Sequence, residues 1–132
     1  MSPAAAAIRV VILGRAHLRR AIRDALVGAG IDVVAGCGSR EEALTAVGET
    51  RPDVCVVDRE IDGGGLIATA ALASPSRPPH VLVIGGGGAP EERRAAELAG
   101  AADYLPGAPD AATVVAAVSA LAGATRTTPS EV

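Results

Sequence analysis

Residues 51–58, RPDVCVVD, decide how this 132-residue chain folds. The Arg51-Pro52 pair breaks any helix before it, because the proline ring disfavours helical backbone at the preceding residue. Val54, Cys55, Val56 and Val57 then follow without polar alternation. A run this short and this uniformly apolar reads as a strand buried on both faces, as in parallel sheets. It ends on Asp58, which places a carboxylate where a buried strand emerges from the core.

The same pattern recurs on either side. IRVVIL at 8–13 and HVLVI at 80–84 are short apolar runs rich in β-branched residues. Ile31–Ala35 gives a further strand, and Ala102–Leu105 a short last one. The segments between them carry helical signals. Leu18, Ile22, Ala25, Leu26 and Ala29 recur at helical spacing, with Arg19, Arg20, Arg23 and Asp24 largely opposite, and Gly28 and Gly30 end that helix. Ser39 with Glu42 forms a capping box opening a helix to about Val47. The Gly63-Gly64-Gly65 turn leads into a helix over Leu66–Ala73, which Pro78-Pro79 stops. Gly85 to Gly88 reads as a flexible loop. Pro90, with Glu91 and Glu92 behind it, opens a helix whose positive end favours those acids, and Gly100 closes it. Asp110 caps a last helix over Ala111–Ala122.

Alternating strands and helices with short connections predict an α/β domain over residues 8–122. It is a single five-stranded parallel sheet flanked by five helices, doubly wound and flavodoxin-like. Residues 1–7 are expected to be disordered. Residues 123–132 read as a linker or as the start of a C-terminal domain missing from this chain. In such a fold sites form beyond the carboxyl ends of the strands. That edge carries Gly14-Arg15, Asp58, Gly85–Gly88 and Pro106-Gly107.

Composition narrows the function classes. Hydrophobic residues make up 49% of the chain, yet there is no Phe, no Trp and one Tyr. The core must therefore be built from aliphatic side chains and close backbone approach. All twelve basic residues are Arg, and the net charge of −3 gives no electrostatic footprint for nucleic acid. Cys37 and Cys55 are too few for a disulfide framework, and Cys55 reads as a buried free thiol. Met1–Ala7 lacks the features of a signal peptide, and no run reaches the roughly 18 apolar residues of a membrane span. These features predict a soluble, cytoplasmic protein without a membrane partner. No Ser–His–Asp order, Cys/His metal spacing or nucleotide-binding glycine motif is present, so neither enzymatic activity nor a cofactor is expected. His17 and His80 read as structural.

From Ile8 to Ala122 the order of elements, and above all RPDVCVVD, HVLVI and GAADYL (100–105), resembles the receiver domain of two-component response regulators. The likeness is to the branch that carries a LuxR-type helix-turn-helix, and TTPSEV (127–132) resembles the opening of that DNA-binding domain. The resemblance puts Asp58 on the family's phosphoacceptor. It also implies an acidic pair holding Mg²⁺ after the first strand, a hydroxyl after the fourth and a Lys after the fifth. Here those positions are Gly14 and Arg15, Gly85, and Gly107. A carboxylate attacking a dianionic phosphoryl group needs cationic help, and these departures remove it. Glu60 and Asp62 follow Asp58 in a loop and read as solvated, with a weaker reading as extra metal ligands.

Arg15 is the substitution with the sharpest consequence. From the end of the first strand its guanidinium can reach Asp58 on the neighbouring third strand, pairing with the carboxylate where a metal would stand. The expectation is that Arg15 locks Asp58 and blocks phosphorylation. The last helix is apolar nearly all round, which predicts burial on more than one side and a homodimer through this region.

The leading reading is thus an atypical receiver, a regulatory and dimerisation module controlling a downstream DNA-binding domain outside this chain. One alternative is a conventional phosphorelay receiver, with Mg²⁺ as cofactor and a histidine kinase as partner. Another is a small-molecule-binding flavodoxin-like domain.

Overall fold

A computed structural model describes residues 7–74 and 77–126. The chain alternates strand and helix throughout: β1 Arg9–Leu13, α1 Ala16–Gly28, β2 Asp32–Cys37, α2 Arg40–Thr50, β3 Val54–Asp58, α3 Gly65–Leu72, β4 His80–Ile84, α4 Pro90–Leu98, β5 Asp103–Leu105 and α5 Ala111–Arg126. The five strands form one parallel sheet in the order β2-β1-β3-β4-β5. This is the doubly wound, flavodoxin-like architecture expected from the sequence.

The uninterrupted apolar runs are explained by burial on both faces of the central strands. Val11, Leu13, Cys55, Val57, Val81 and Val83 face one core layer with Ala43, Ala68, Leu72 and Ala96 from α2, α3 and α4. Their chain neighbours Val10, Ile12, Val54, Val56, Leu82 and Ile84 face the other, with Ile22 and Leu26 from α1 and Val114, Val118 and Ala122 from α5. The period of two along each strand thus assigns alternate residues to opposite layers. Tyr104, the single aromatic residue, is buried.

Several element ends differ from expectation. β2 runs to Cys37 rather than Ala35, and Gly14 extends the pairing by donating to the Cys37 carbonyl at 3.0 Å. α2 continues to Thr50, past Val47, and ends where Arg51 adopts a left-handed conformation (φ 50°), the role glycine usually fills. α3 stops at Leu72, before the Pro78-Pro79 pair held responsible for ending it. α5 extends to Arg126, past Ala122. The expected disorder of 1–7 and the TTPSEV likeness fall almost wholly outside the described residues.

Within this chain α5 packs on the sheet along one side. Val114, Ala117, Val118 and Ala122 are buried against the sheet, while Ala111, Ala112, Ala116 and Ala120 are exposed. Small side chains cover the outer face, which within this chain is left open. No helix among the described residues is long and apolar enough to cross a membrane.

Candidate functional site at the carboxyl edge of the sheet

β1 and β3 are neighbours, and the chain leaves them towards opposite faces of the sheet, so a crevice opens between their carboxyl ends. Gly14-Arg15 stands at one side and Asp58 at the other. Asp58 is 1% exposed, which makes it one of two buried polar side chains among the described residues. Its two oxygens are fully engaged. Arg15 Nε donates to Oδ2 at 2.8 Å, and Arg15 Nη2 to Oδ1 at 3.2 Å. The backbone N–H of Arg15 reaches Oδ2 at 3.0 Å, and that of Glu60 reaches Oδ1 at 2.9 Å.

This is the pairing expected of Arg15, with two backbone donors added. Burial pushes the Asp58 carboxyl up, but the Arg15 side chain and the two N–H groups outweigh it and hold the carboxyl below the usual range. The Arg15 guanidinium is raised in turn, chiefly by its hydrogen bond to Asp58.

A carboxyl depressed in the folded state contributes stability above its unfolded value of about 3.9, and that contribution is lost as pH falls through the folded value. Glu41 and Asp110 are depressed as well, so all three add to the acid limb. Asp58→Asn is therefore expected to flatten the dependence of unfolding free energy on pH below about 4, as read by urea titration at stepped pH. An unchanged acid slope in the variant would show that Asp58 gains nothing from its partners.

The other predicted site residues occupy the rim. A Cβ at Gly14 would lie 3.0 Å from the Asp58 Cβ, so any side chain there presses on the carboxylate. A Cβ at Gly85 would lie 4.0 Å from Asp58 Oδ1. Gly107 stands farther out, with open space around its Cα and its N–H on the Gly86 carbonyl at 2.9 Å. The Glu60 and Asp62 side chains are exposed. His17 is exposed and His80 half-buried. Burial pushes the Cys55 thiol up to about 12, consistent with an inert core thiol.

The residues present do not fit Mg²⁺. The ion requires several hard oxygen ligands in octahedral array. A guanidinium already covers both oxygens of Asp58, and Gly14 offers no side chain. Among the described residues no group of three or more His, Cys, Asp and Glu side chains could hold a metal.

Three participants escaped the sequence reading. Arg59 follows Asp58 and extends across the glycine loop, with Nε 3.9 Å from Glu92 Oε1 and Nη1 buried without a partner. A Cβ at Gly86 would fall 2.5 Å from Arg59 Cδ and 2.7 Å from the Tyr104 hydroxyl, so glycine there makes room for both. The loop expected to be flexible is held at several points. Gly85 N–H donates to Leu105 O at 2.9 Å, Gly87 N–H to Glu92 Oε1 at 2.9 Å, and the Tyr104 hydroxyl to Gly87 O at 2.6 Å. The signal for this was the lone Tyr104, since a buried phenol requires a hydrogen-bond partner.

Comparison with known proteins agrees with this architecture. No family model matches the chain. Over 74 residues it is 40% identical to a protein-glutamate methylesterase/protein-glutamine glutaminase of Haloarcula marismortui, covering 54% of this chain and 20% of that protein. The match therefore involves only a fifth of that relative. The signal receiver domain of the response regulator NarL from Mycobacterium tuberculosis superimposes with a TM-score of 0.80 at 28% identity, over 89% of this chain and 97% of that one. The chemotaxis response regulator CheY4 of Vibrio cholerae gives 0.78 at 19% identity, over 88% and 99%.

Proposed function

We propose that this chain, a receiver domain of the response-regulator type in fold and likeness, is a regulatory module whose output does not run through phosphorylation of Asp58. The observation that carries this reading is the bidentate bridge between Arg15 and Asp58. A carboxylate that attacks a phosphoryl group must present a free oxygen lone pair and have its product charge offset. Here both oxygens are committed to N–H donors. Gly85 and Gly107 supply neither hydroxyl nor ammonium to receive the new phosphate. The Arg15 cation substitutes for the metal electrostatically, but it stands where the incoming group must approach.

The module catalyses no reaction of its own. It acts through association, with a second copy meeting the open alanine face of α5 and a DNA-binding domain downstream responding. Small side chains on that face permit close helix–helix approach, which favours such packing.

Native mass spectrometry after incubation with acetyl phosphate and Mg²⁺, beside Asp58→Asn, tests both parts. The expected spectrum shows a dimer with no phosphoryl adduct. An adduct on the parent that vanishes in Asp58→Asn would establish the conventional phosphorelay reading instead. A monomer at every concentration would remove the dimer.

A further inference from the structure

The corner formed by α1 and the edge strand β2 is strongly basic in a chain whose net charge is −3. A cleft of about 410 Å³ opens there, lined by Arg19, Arg20 and Arg23 together with Ala16, Val33 and Gly36. No carboxylate lines it. Arg20 and Arg23 are exposed, and neither makes an ion pair or hydrogen bond among the described residues. Arg19 uses Nη1 on the Gly14 carbonyl at 2.9 Å and has no carboxylate partner there either. Glu42, across the β2–α2 turn, is taken up by the Gly38 N–H at 2.8 Å.

The placement of these cations is unfavourable on its own. Arg19 lies in the first turn of α1, which contains no acid, and so stands at the positive end of the helix dipole; Arg20 and Arg23 follow within the next turn. Their mutual repulsion adds to that cost. An anion in the cleft would offset both. Gly36 adds no side chain to the floor of the cleft, where a Cβ would make an ordinary contact with Arg19 Cδ at 3.7 Å.

We propose that this cleft binds a small phosphorylated ligand, with the phosphate on Arg20 and Arg23 and the body of the molecule along Val33, Ala16 and Gly36. Guanidinium groups match phosphate oxygens in geometry and retain their charge at every physiological pH. The volume lies in the range of small-molecule sites and exceeds what inorganic phosphate alone would fill. Acidic peptides spread single charges along an extended chain, which suits this compact cluster less well. The site is separate from Asp58 and does not depend on whether that residue is phosphorylated. The two regions adjoin at the start of α1, where Ala16 follows Arg15 and Arg19 bonds the Gly14 and Arg15 carbonyls.

The test is titration of the ¹⁵N-labelled full chain with inorganic phosphate, AMP and adenosine at constant ionic strength. Phosphate and AMP are expected to give saturable amide shifts at Ala16, Arg19, Val33 and Gly36, AMP the tighter, and adenosine none. The Arg20→Ala/Arg23→Ala double variant changes only exposed side chains and should weaken AMP by roughly tenfold or more, since charge-assisted hydrogen bonds are lost. A variant spectrum unchanged away from α1 establishes that it is folded. The proposal is overturned by no saturable shifts with either phosphate probe, or by shifts centred on Asp58 and Gly85. Adenosine binding as well as AMP, or an unchanged affinity in the double variant, would overturn it equally.

Discussion

Arg15→Asp is expected to melt well below the parent at neutral pH, by on the order of 5 °C or more, and to be restored by millimolar Mg²⁺ that leaves the parent unmoved. The substitution removes the guanidinium from both Asp58 oxygens and puts a second carboxylate beside a buried one. Like charges at such a separation repel strongly where water is excluded, and the burial that already pushes Asp58 up would be countered only by the backbone N–H groups of residues 15 and 60. The variant should therefore recover stability as pH falls and one carboxyl takes up a proton, opposite to the parent's loss of stability in acid. Two carboxylates with water are also the hard-oxygen set that a divalent cation accepts. A ligand bound only by the folded state stabilises it by about 2.7 kcal/mol at a hundredfold excess over its dissociation constant, which thermal scans resolve readily. Thermal melts followed by circular dichroism, with and without Mg²⁺, decide the matter. A variant as stable as the parent would mean that Arg15 does not hold Asp58. A metal-dependent rise in the parent would mean that the arginine yields its place to Mg²⁺.

What the sequence made legible follows from the length scale of each interaction. The strands were readable because burial on both faces leaves Val54–Val57 and Val81–Ile84 without a polar residue. The Arg15–Asp58 contact was readable because parallel strands in this topology bring the ends of β1 and β3 side by side, whatever the helices do. Strand order thus converts two residues far apart in sequence into neighbours. The Gly85–Gly88 loop was misread for the opposite reason. Its order comes from Tyr104 and Glu92, on elements that follow it, and glycines carry no pattern that reveals such partners. Arg59 was missed because an arginine after a strand ordinarily points to water, and only Gly86 makes space for it over the loop. The sequence alone does not tell which side of α5 packs on the sheet, because alanine counts as apolar yet loses little when exposed, so it recurs on both faces of the helix.

Gly65 concentrates this problem in one residue, and its replacement gives the clearest backbone test of the site. The triplet Gly63-Gly64-Gly65 reads as a turn, with nothing in the sequence to rank its members. In the fold Gly63 and Gly64 have positive φ, at 90° and 94°, and glycine suits them for that reason. Gly65 is needed for a different one: a Cβ there would lie 2.5 Å from Arg59 Cα and 2.6 Å from the Asp58 carbonyl oxygen. Both are backbone atoms, and the Asp58 carbonyl also accepts from the Ile61 N–H, so no side-chain rotation relieves the clash. Gly65→Ala is expected to destabilise by about 3 kcal/mol, the upper end for overpacking, and to lower the melting temperature by roughly 10 °C. Because the displaced atoms belong to Asp58 and Arg59, the amides of Arg15 and Glu60, which bond the Asp58 carboxylate, should shift with it. Gly48→Ala supplies the contrast within the same chain. Gly48 lies inside α2 with open space around its Cα, so alanine gains helix propensity without a collision and should stabilise by about 0.5–1 kcal/mol. Opposite signs from one chemical change would establish that backbone proximity at the end of β3, rather than glycine content, holds the carboxylate in place. A Gly65→Ala protein melting with the parent would show that the turn has room to move, and that Asp58 is less firmly fixed than its hydrogen bonds imply.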